Sequence, residues 1–370
     1  MVLSAASSHA RYGAIMQPEL PGIDSSKTSQ WLEANVEGAR GPFLFDLIAG
    51  GHSNLTYGVT GVDGTRFVLR RPPLGHLLAS AHDMGREHRI IAALASTDVP
   101  VAPVLGYCED LAVNGAPFYV MAFVDGLVVR DRESAIEWLT PAARRTAGES
   151  LVSTLAAIHA VDPVAVGLGE LGRHDGYIAR QLKRWYGQWN AQKTRELPLV
   201  DQVHDELLTR IPPQGQVAIV HGDYRLDNCM LDPHGRVCAV LDWEICTLGD
   251  PLADLGLLQV YWTGPDDEPS AWTGQACTAP GFPNRADLLD LYARHSSRDL
   301  SSIDFYTAFA FWKLACILEG VYARYLAGAM GERSSDELLP FKLQVEAAAV
   351  QAERFLRATR RSTGTAGSSG

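Results

Sequence analysis

The segment QVAIVHGDYRLDNCMLDPHGRVCAVLDWEICTLGDPLADLG concentrates residues whose types and spacing could do chemistry. Asp223 directly follows His221-Gly222 at the end of an apolar run, and Asn228 lies five residues further on. A hairpin turning at Asp232-Pro233-His234-Gly235 then leads to Asp242-Trp243-Glu244. Phosphoryl transfer asks little covalent work of a protein but demands positioning and charge neutralisation, and this pattern supplies both. Asp223 would accept or orient the proton of an attacking hydroxyl. The amide oxygen of Asn228 and the carboxylate of Asp242 are hard oxygen donors suited to Mg²⁺ held against a triphosphate. Acidic residues in DPHG and GDP can equally make turns and helix caps, and that reading suffices for Asp232 and Asp250. It does not account for Asp223, Asn228 and Asp242 together.

These residues need elements to hold them. Val217–Val220 reads as a strand delivering Asp223, and residues 216–243 alternate short apolar strands with turns. Upstream, FDLIAGG, LTYGVTG and TRFVLRR within residues 43–71 read as strands, with Asp63-Gly64 as a hairpin signal between the last two. AHDMGREHRIIAALAS reads as a helix, VPVAPVLGYCED as a Pro-bounded extended stretch, and APFYVMAFVDG as a buried strand running into a turn. A helix is expected from Ser29, with Trp31, Leu32, Asn35 and Val36 at helical offsets. Beyond residue 125 helices dominate, at about 141–160, 175–194, 201–210, 285–298, 301–330 and 335–358. Asp250-Pro251 reads as an N-cap followed by Pro at the first helical position, with LADLGLL as the apolar face behind it. The expected organisation is an irregular arm (1–28), a β-rich N-lobe (29–124), a mainly helical C-lobe (125–358) and a flexible tail (359–370).

An H-x-D-x-x-x-x-N loop followed by a metal-binding Asp is the arrangement described for protein kinases. With HGDxxxxN, LDWE and GDPxxDLG in succession, the chain closely resembles the aminoglycoside phosphotransferase family, which also includes choline and homoserine kinases. It looks most like the branch fused, in larger proteins, to acyl-CoA dehydrogenase domains. The resemblance covers about residues 43–330, and 216–256 is its most specific part. It implies an α+β, bilobal protein-kinase-like fold, with ATP as phosphate donor, Mg²⁺ as cofactor, Asp223 as catalytic base, and Asn228 and Asp242 as metal ligands. Asp254, one turn into the following helix, would brace the catalytic loop. In the N-lobe, Ala49-Gly50-Gly51-His52-Ser53-Asn54 could close over phosphates with its backbone N–H groups, although it is not GxGxxG. Gly51, Ser53 and Asn54 are the candidates there. FVLRR offers Arg70 where the family carries a lysine for the α/β-phosphates; Arg is permanently charged and can fork to two oxygens. Glu87 falls on a helical stripe with Met84, Ile91 and Leu94, where a carboxylate needs a partner, and Arg70 is that partner in the kinase reading. FYVMAFVDG resembles the hinge at which adenine bonds to backbone, with Met121 beside the base and the Ala122 carbonyl and Val124 amide as partners. Arg70 in place of lysine also leaves an alternative, a nucleotide-binding regulatory pseudokinase without transfer activity. A protein kinase is disfavoured, since GDPLADLG follows Asp242 and no segment ending in APE does.

Two features bear on the acceptor, a small molecule with a hydroxyl. Thr263–Arg285 is a long Gly/Pro-rich loop of the kind that often serves function. Its Asp266, Asp267 and Glu268, with Trp262 and Trp272, would suit a cationic, aminoglycoside-like acceptor, or else form a solvated loop. Tyr177–Tyr186 (YIARQLKRWY) is a helix with clustered cations and aromatics, Arg180 and Arg184 among them. It would suit an anionic, hydroxyacyl-CoA-like acceptor, or else its stems simply cover a helix surface. His159, near the end of an apolar helix, reads as a hydrogen-bonded core residue.

Composition sets the outer bounds. The 370 residues are 46% hydrophobic and 20% charged, an ordinary globular balance. Lys plus Arg number 32 against 43 Asp plus Glu, a net charge of −11, which argues against a nucleic-acid partner because phosphate neutralisation needs a basic face. The six cysteines form no CxxC pair and read as reduced, core-filling thiols. No signal-peptide pattern opens the chain, and its most apolar helix is interrupted by Lys313. The expectation is a cytoplasmic protein with no membrane partner.

Overall fold

A computed structural model describes residues 20–49, 54–74, 83–263, 275–329, 331 and 333–364. Its contacts divide the chain into two compact units. The first comprises the described residues up to Arg89 with Pro103–Phe123, and the second Ile90–Ala102 with the described residues from Val124 onward.

The first unit is built on α1 (Ser25–Asn35), β1 (Leu44–Ala49), β2 (Leu55–Thr60) and β3 (Arg66–Arg71). It continues with the start of α2 (Met84–Leu94), then β4 (Val104–Cys108), the single-turn α3 (Leu111–Asn114) and β5 (Phe118–Ala122). The strands form one antiparallel sheet in the order β1-β2-β3-β5-β4. The β2–β3 hairpin closes as expected: the Asp63 side chain accepts the Thr65 N–H at 3.0 Å, and Gly64 takes the left-handed φ of 84° that the turn demands. Strand alternation sends Tyr57, Val59, Phe67, Leu69, Phe118 and Val120 into a core shared with Leu32 of α1 and with Val36 just after it. The helix begins at Ser25, not Ser29, because Asp24 caps it by accepting the Lys27 N–H at 3.0 Å. Leu20 and Ile23 pack against the core, so residues 20–28 belong to this unit.

The second unit carries α4 (Arg132–Trp138), α5 (Pro141–Ala160), α6 (Tyr177–Gln192) and α7 (Pro198–Thr209). Short strands follow, β6 (Ala218–Val220), β7 (Cys229–Leu231), β8 (Val237–Val240) and β9 (Thr247–Gly249), then α8 (Leu252–Tyr261), α9 (Arg285–His295), α10 (Ile303–Leu326) and α11 (Ser335–Gly364). Helix α4 was not expected from hydrophobic period; its Asp131/Ser134 capping box is the local signal that starts it. β6 pairs with β9 and β7 with β8, both antiparallel. Helices α8 and α10 are apolar nearly all round and cross closely at Gly256, where an added Cβ would lie 2.6 Å from the backbone of Tyr306. Four of the six cysteines are buried, and none is in a disulfide. Among the described residues, no helix is long and apolar enough to cross a membrane.

Candidate active site

Strand β6 is buried throughout and is followed by His221, which is fully buried. The chain then turns through Gly222 at φ 87°, a conformation that favours glycine, and presents Asp223 with its side chain 29% exposed. Two anchors fix this turn. The His221 Nε2 lies 2.8 Å from the Leu241 carbonyl and must donate to it. Its Nδ1 is therefore the acceptor for the Asp223 N–H at 3.3 Å. The second anchor is Asp254, on α8 and 1% exposed. Its Oδ2 accepts the His221 N–H at 2.7 Å and its Oδ1 the Gly222 N–H at 2.8 Å. The bracing expected of Asp254 is thus present as two backbone hydrogen bonds.

Behind Asp254 stands His159, its Nε2 3.4 Å from Oδ2 and its Nδ1 2.8 Å from the Tyr292 hydroxyl. Burial lowers the His159 pKa against the pull of Asp254, so the ring is a neutral core residue, as expected. For Asp254, burial opposes ionisation, but the hydrogen bonds it accepts from His159 and the Gly222 N–H more than offset it, and its carboxyl sits below the usual range.

Asn228 closes the loop. Its Nδ2 donates to the Asp223 carbonyl at 2.8 Å and to Asp223 Oδ2 at 2.9 Å, so the amide oxygen is turned away from Asp223. That leaves a neutral oxygen donor beside a carboxylate, a suitable ligand for a hard cation. The Leu241 N–H donates to the Asn228 carbonyl at 2.8 Å, and the β7–β8 ladder pairs Cys229 with Val240, which carries the Asp242 segment alongside the Asn228 segment. Asp242 itself holds φ 62°, unusual for a non-glycine residue, at the start of the turn Trp243–Ile245. Strained conformations of this kind cluster at functional sites. The donors fit a Mg²⁺ ion, which keeps several waters and takes only one or two protein ligands.

Two cations at this loop were missed from the sequence. The Arg225 Nε lies 3.4 Å from Asp223 Oδ2, its Nη1 lies 3.0 Å from Asp227 Oδ2, and its guanidinium lies over the Tyr261 ring at 4.9 Å. Lys313, on α10, donates from Nζ to the Gly222 carbonyl at 3.3 Å. A lone Arg in a loop looks like a solvated charge; a lysine inside an apolar helix was the signal available for the second.

Asp250 does more than cap. α8 begins one residue later than expected, at Leu252; Asp250 Oδ1 accepts the Leu252 N–H at 3.1 Å and its Oδ2 accepts from the Tyr306 hydroxyl at 2.6 Å. Trp262, expected beside an acceptor, is instead 1% exposed and donates from Nε1 to the Pro283 carbonyl at 2.8 Å. Asp266, Asp267, Glu268 and Trp272 lie outside the described residues. On α6, Arg180 donates to the Arg173 carbonyl at 2.9 Å, and the exposed Arg184 lies over the Trp185 ring at 5.5 Å.

In the first unit, the Arg70 Nε lies 3.2 Å from Glu87 Oε2, with the Glu87 side chain 2% exposed. Strand register places Arg70 opposite Tyr119 of β5 and Thr56 of β2. Asn54 is buried ahead of β2, whereas Gly51 and Ser53 lie outside the described residues. Met121 and Ala122 end β5 and are half-buried, and the Ala122 N–H donates to the Pro103 carbonyl at 2.8 Å. Val124, half-buried, belongs to the second unit and starts its longer stretch of chain.

Mouse acyl-CoA dehydrogenase family member 10 is 36% identical over 291 residues, 78% of this chain but 27% of that protein. Rat acyl-CoA dehydrogenase family member 11 is 38% identical over 276 residues, 73% of this chain and 35% of that protein. The chain therefore spans about a third of the length of these curated relatives. A solved Ralstonia eutropha protein, described provisionally as an aminoglycoside phosphotransferase, is 34% identical and superimposes with a TM-score of 0.77 over 91% of this chain and 99% of its own. Choline kinase from Cryptosporidium parvum, at 10% identity and a TM-score of 0.62, shares the kinase-like fold. The family model described as the phosphotransferase enzyme family matches residues 45–291, from β1 to the middle of α9, and this chain belongs to that family.

Proposed function

We propose that this chain transfers the γ-phosphoryl group of ATP to a hydroxyl of a small molecule. The observation that carries the reading is the Asp223 carboxylate, held by Asn228 at 2.9 Å on a turn that Asp254 anchors from behind. Asp223 takes the acceptor's hydroxyl proton as the acceptor oxygen bonds to the γ-phosphorus and the bond from that phosphorus to the ADP oxygen breaks; ADP leaves with the electron pair. Asn228 and Asp242 would hold Mg²⁺, which when bound neutralises charge on the phosphates. Arg70, oriented by Glu87, binds phosphate oxygens, and Met121, Ala122 and Val124 receive the base. The regulatory alternative loses support, because Arg70 makes with Glu87 the pair that the kinase reading expects.

The acceptor is of aminoglycoside-like or hydroxyacyl-CoA-like chemistry. A same-fold neighbour at 16% identity is described as an aminoglycoside phosphotransferase in complex with ADP and hygromycin B, and the relatives with 36–38% identity carry acyl-CoA dehydrogenase names. The test is coupled ADP release with a panel of aminoglycosides and hydroxyacyl-CoA species against a no-acceptor control. Acceptor-dependent ADP release supports the reading. ADP release that no acceptor stimulates, with ATP bound, overturns it.

A further inference from the structure

The catalytic loop alternates between core and site. Tyr224 and Leu226 are buried, and the Tyr224 hydroxyl donates to the Leu151 carbonyl at 2.7 Å. Asp223, Arg225 and Asp227 instead keep side-chain exposures of 29%, 26% and 32%. The backbone at Arg225 is extended (φ −160°, ψ 167°), and successive side chains of an extended chain point to opposite faces. Three charged residues two positions apart therefore share one face, and the middle one is the cation.

That cation is held from several sides. Its Nη1 lies 3.0 Å from Asp227 Oδ2, its guanidinium lies over the Tyr261 ring at 4.9 Å, and its Nε lies 3.4 Å from Asp223 Oδ2. Burial opposes the charge on Arg225, and the carboxylates of Asp223 and Asp227 more than offset it. The buried Nε–H has no hydrogen-bond acceptor among the described residues, so it acts on Asp223 through charge. Exposed ion pairs contribute little because two free side chains must be ordered to form them; Asp227 and Tyr261 have already ordered this guanidinium. The two oxygens of Asp223 differ in consequence. Oδ2 accepts from Asn228 Nδ2 at 2.9 Å and faces Arg225, whereas Oδ1 has no hydrogen-bond or ion-pair partner among the described residues.

We propose that Arg225 is a positioning residue for Asp223: with Asn228 it claims Oδ2 and so presents Oδ1 to the acceptor hydroxyl, while Asp227 and Tyr261 keep the guanidinium in place. The inference rests on the transferase reading above and names the oxygen through which its proton transfer runs. The hydroxyl proton goes to Oδ1, and the electron pair of that O–H bond stays on the acceptor oxygen, which bonds to the γ-phosphorus. The ADP oxygen leaves with the electrons of the bond that breaks. With a neutral side chain at 225, Asn228 alone holds the carboxylate, which is then free to turn.

The test measures ADP release by the full chain from Mg-ATP, with kanamycin and with 3-hydroxybutyryl-CoA as acceptors, for wild type, R225M, R225K and D227N. Values of kcat and KM are read separately, and crystal structures of wild type and R225M are compared in parallel. R225M is expected to lower kcat at least about tenfold, or about 1.4 kcal/mol, with the KM for ATP within about twofold of the wild type. R225K, which keeps the charge without the planar fork, should recover part of the loss, and D227N, which frees the guanidinium on one side, should give a smaller one. In the R225M crystal the Asp223 carboxylate should be turned from its wild-type orientation. The proposal is overturned if R225M turns over as the wild type does, if its loss lies in the KM for ATP, or if the Asp223 carboxylate keeps its place in R225M. If the wild type itself transfers to neither acceptor, the transferase reading loses its support, and the crystal comparison still decides the placement of Asp223. Asp227, whose pKa burial already raises, can take up a proton once its partner is removed, so R225M should fold, and thermal melting checks it.

Discussion

Replacing Asp254 by asparagine leaves the shape of the side chain but removes one of its two acceptor oxygens. In the wild type those oxygens take the His221 N–H at 2.7 Å and the Gly222 N–H at 2.8 Å, all at a site 1% exposed. The asparagine amide can accept one of these hydrogens; its NH₂ must face the other, leaving a buried donor unpaired at about 1–3 kcal/mol. The surviving bond loses its ionised acceptor, worth about another 1 kcal/mol. The sum is about 2–4 kcal/mol, which for a unit of roughly this size corresponds to a melting temperature lower by about 4–16 °C. Activity should suffer as well, because the same two bonds hold the turn that aims Asp223. A misplacement of about 1 Å at a reacting group can lower turnover by about 100-fold. The assay pairs thermal melting with coupled ADP release, and kcat should fall while ATP affinity changes little. Melting within about 2 °C of the wild type, under about 1 kcal/mol, together with unchanged kcat, would refute the reasoning.

Three further outcomes follow from the same contacts. Arg70→Met should weaken binding of an ATP analogue by about tenfold or more, the worth of a charge-assisted contact, and Arg70→Lys should recover part of it; calorimetry reads both. The His159 pKa is lowered from 6.5 in the fold, so the unfolded chain binds more protons just below that pH. Its contribution to stability is full above pH 6.5 and is lost as pH falls through the lowered folded value, and His159→Gln should flatten that acid limb in urea titrations. Gly256→Ala should destabilise by about 1–3 kcal/mol despite alanine's better helix propensity, because its methyl would meet the Tyr306 backbone and not a movable side chain; the shift of the denaturant midpoint measures this.

The centre of the site was legible in the sequence because its geometry is local. Asn228 lies five positions after Asp223, the β7–β8 hairpin fixes the approach of Asp242, and each turn is marked by its own Gly or Asp. The bracing by Asp254 was readable from the family resemblance and not from spacing; its two bonds to the loop span more than thirty positions, a distance at which spacing carries no signal. Arg225 and Lys313 escaped for a related reason. A single cation in a loop resembles a solvated charge, and a lysine in an apolar helix signals only that it needs a partner; packing shows that Arg225 lies against Tyr261 and that Lys313 is held beside Gly222. Trp262 erred in the opposite direction: its position near a polar loop suggested a binding surface, but its indole N–H is satisfied at Pro283 inside the core. The early start of α1 was recoverable from Asp24, whose capping of Lys27 needs no tertiary partner.

The central claim is that the carboxylate of Asp223 acts on the acceptor hydroxyl. It is tested most directly by comparing wild type and Asp223→Ala for acceptor-dependent ADP release and, in parallel, for binding of an ATP analogue. The account predicts that transfer falls by at least about 100-fold, in the range of lost general-base catalysis, while the analogue binds as before. Transfer at the wild-type rate by a variant that still binds ATP would contradict it.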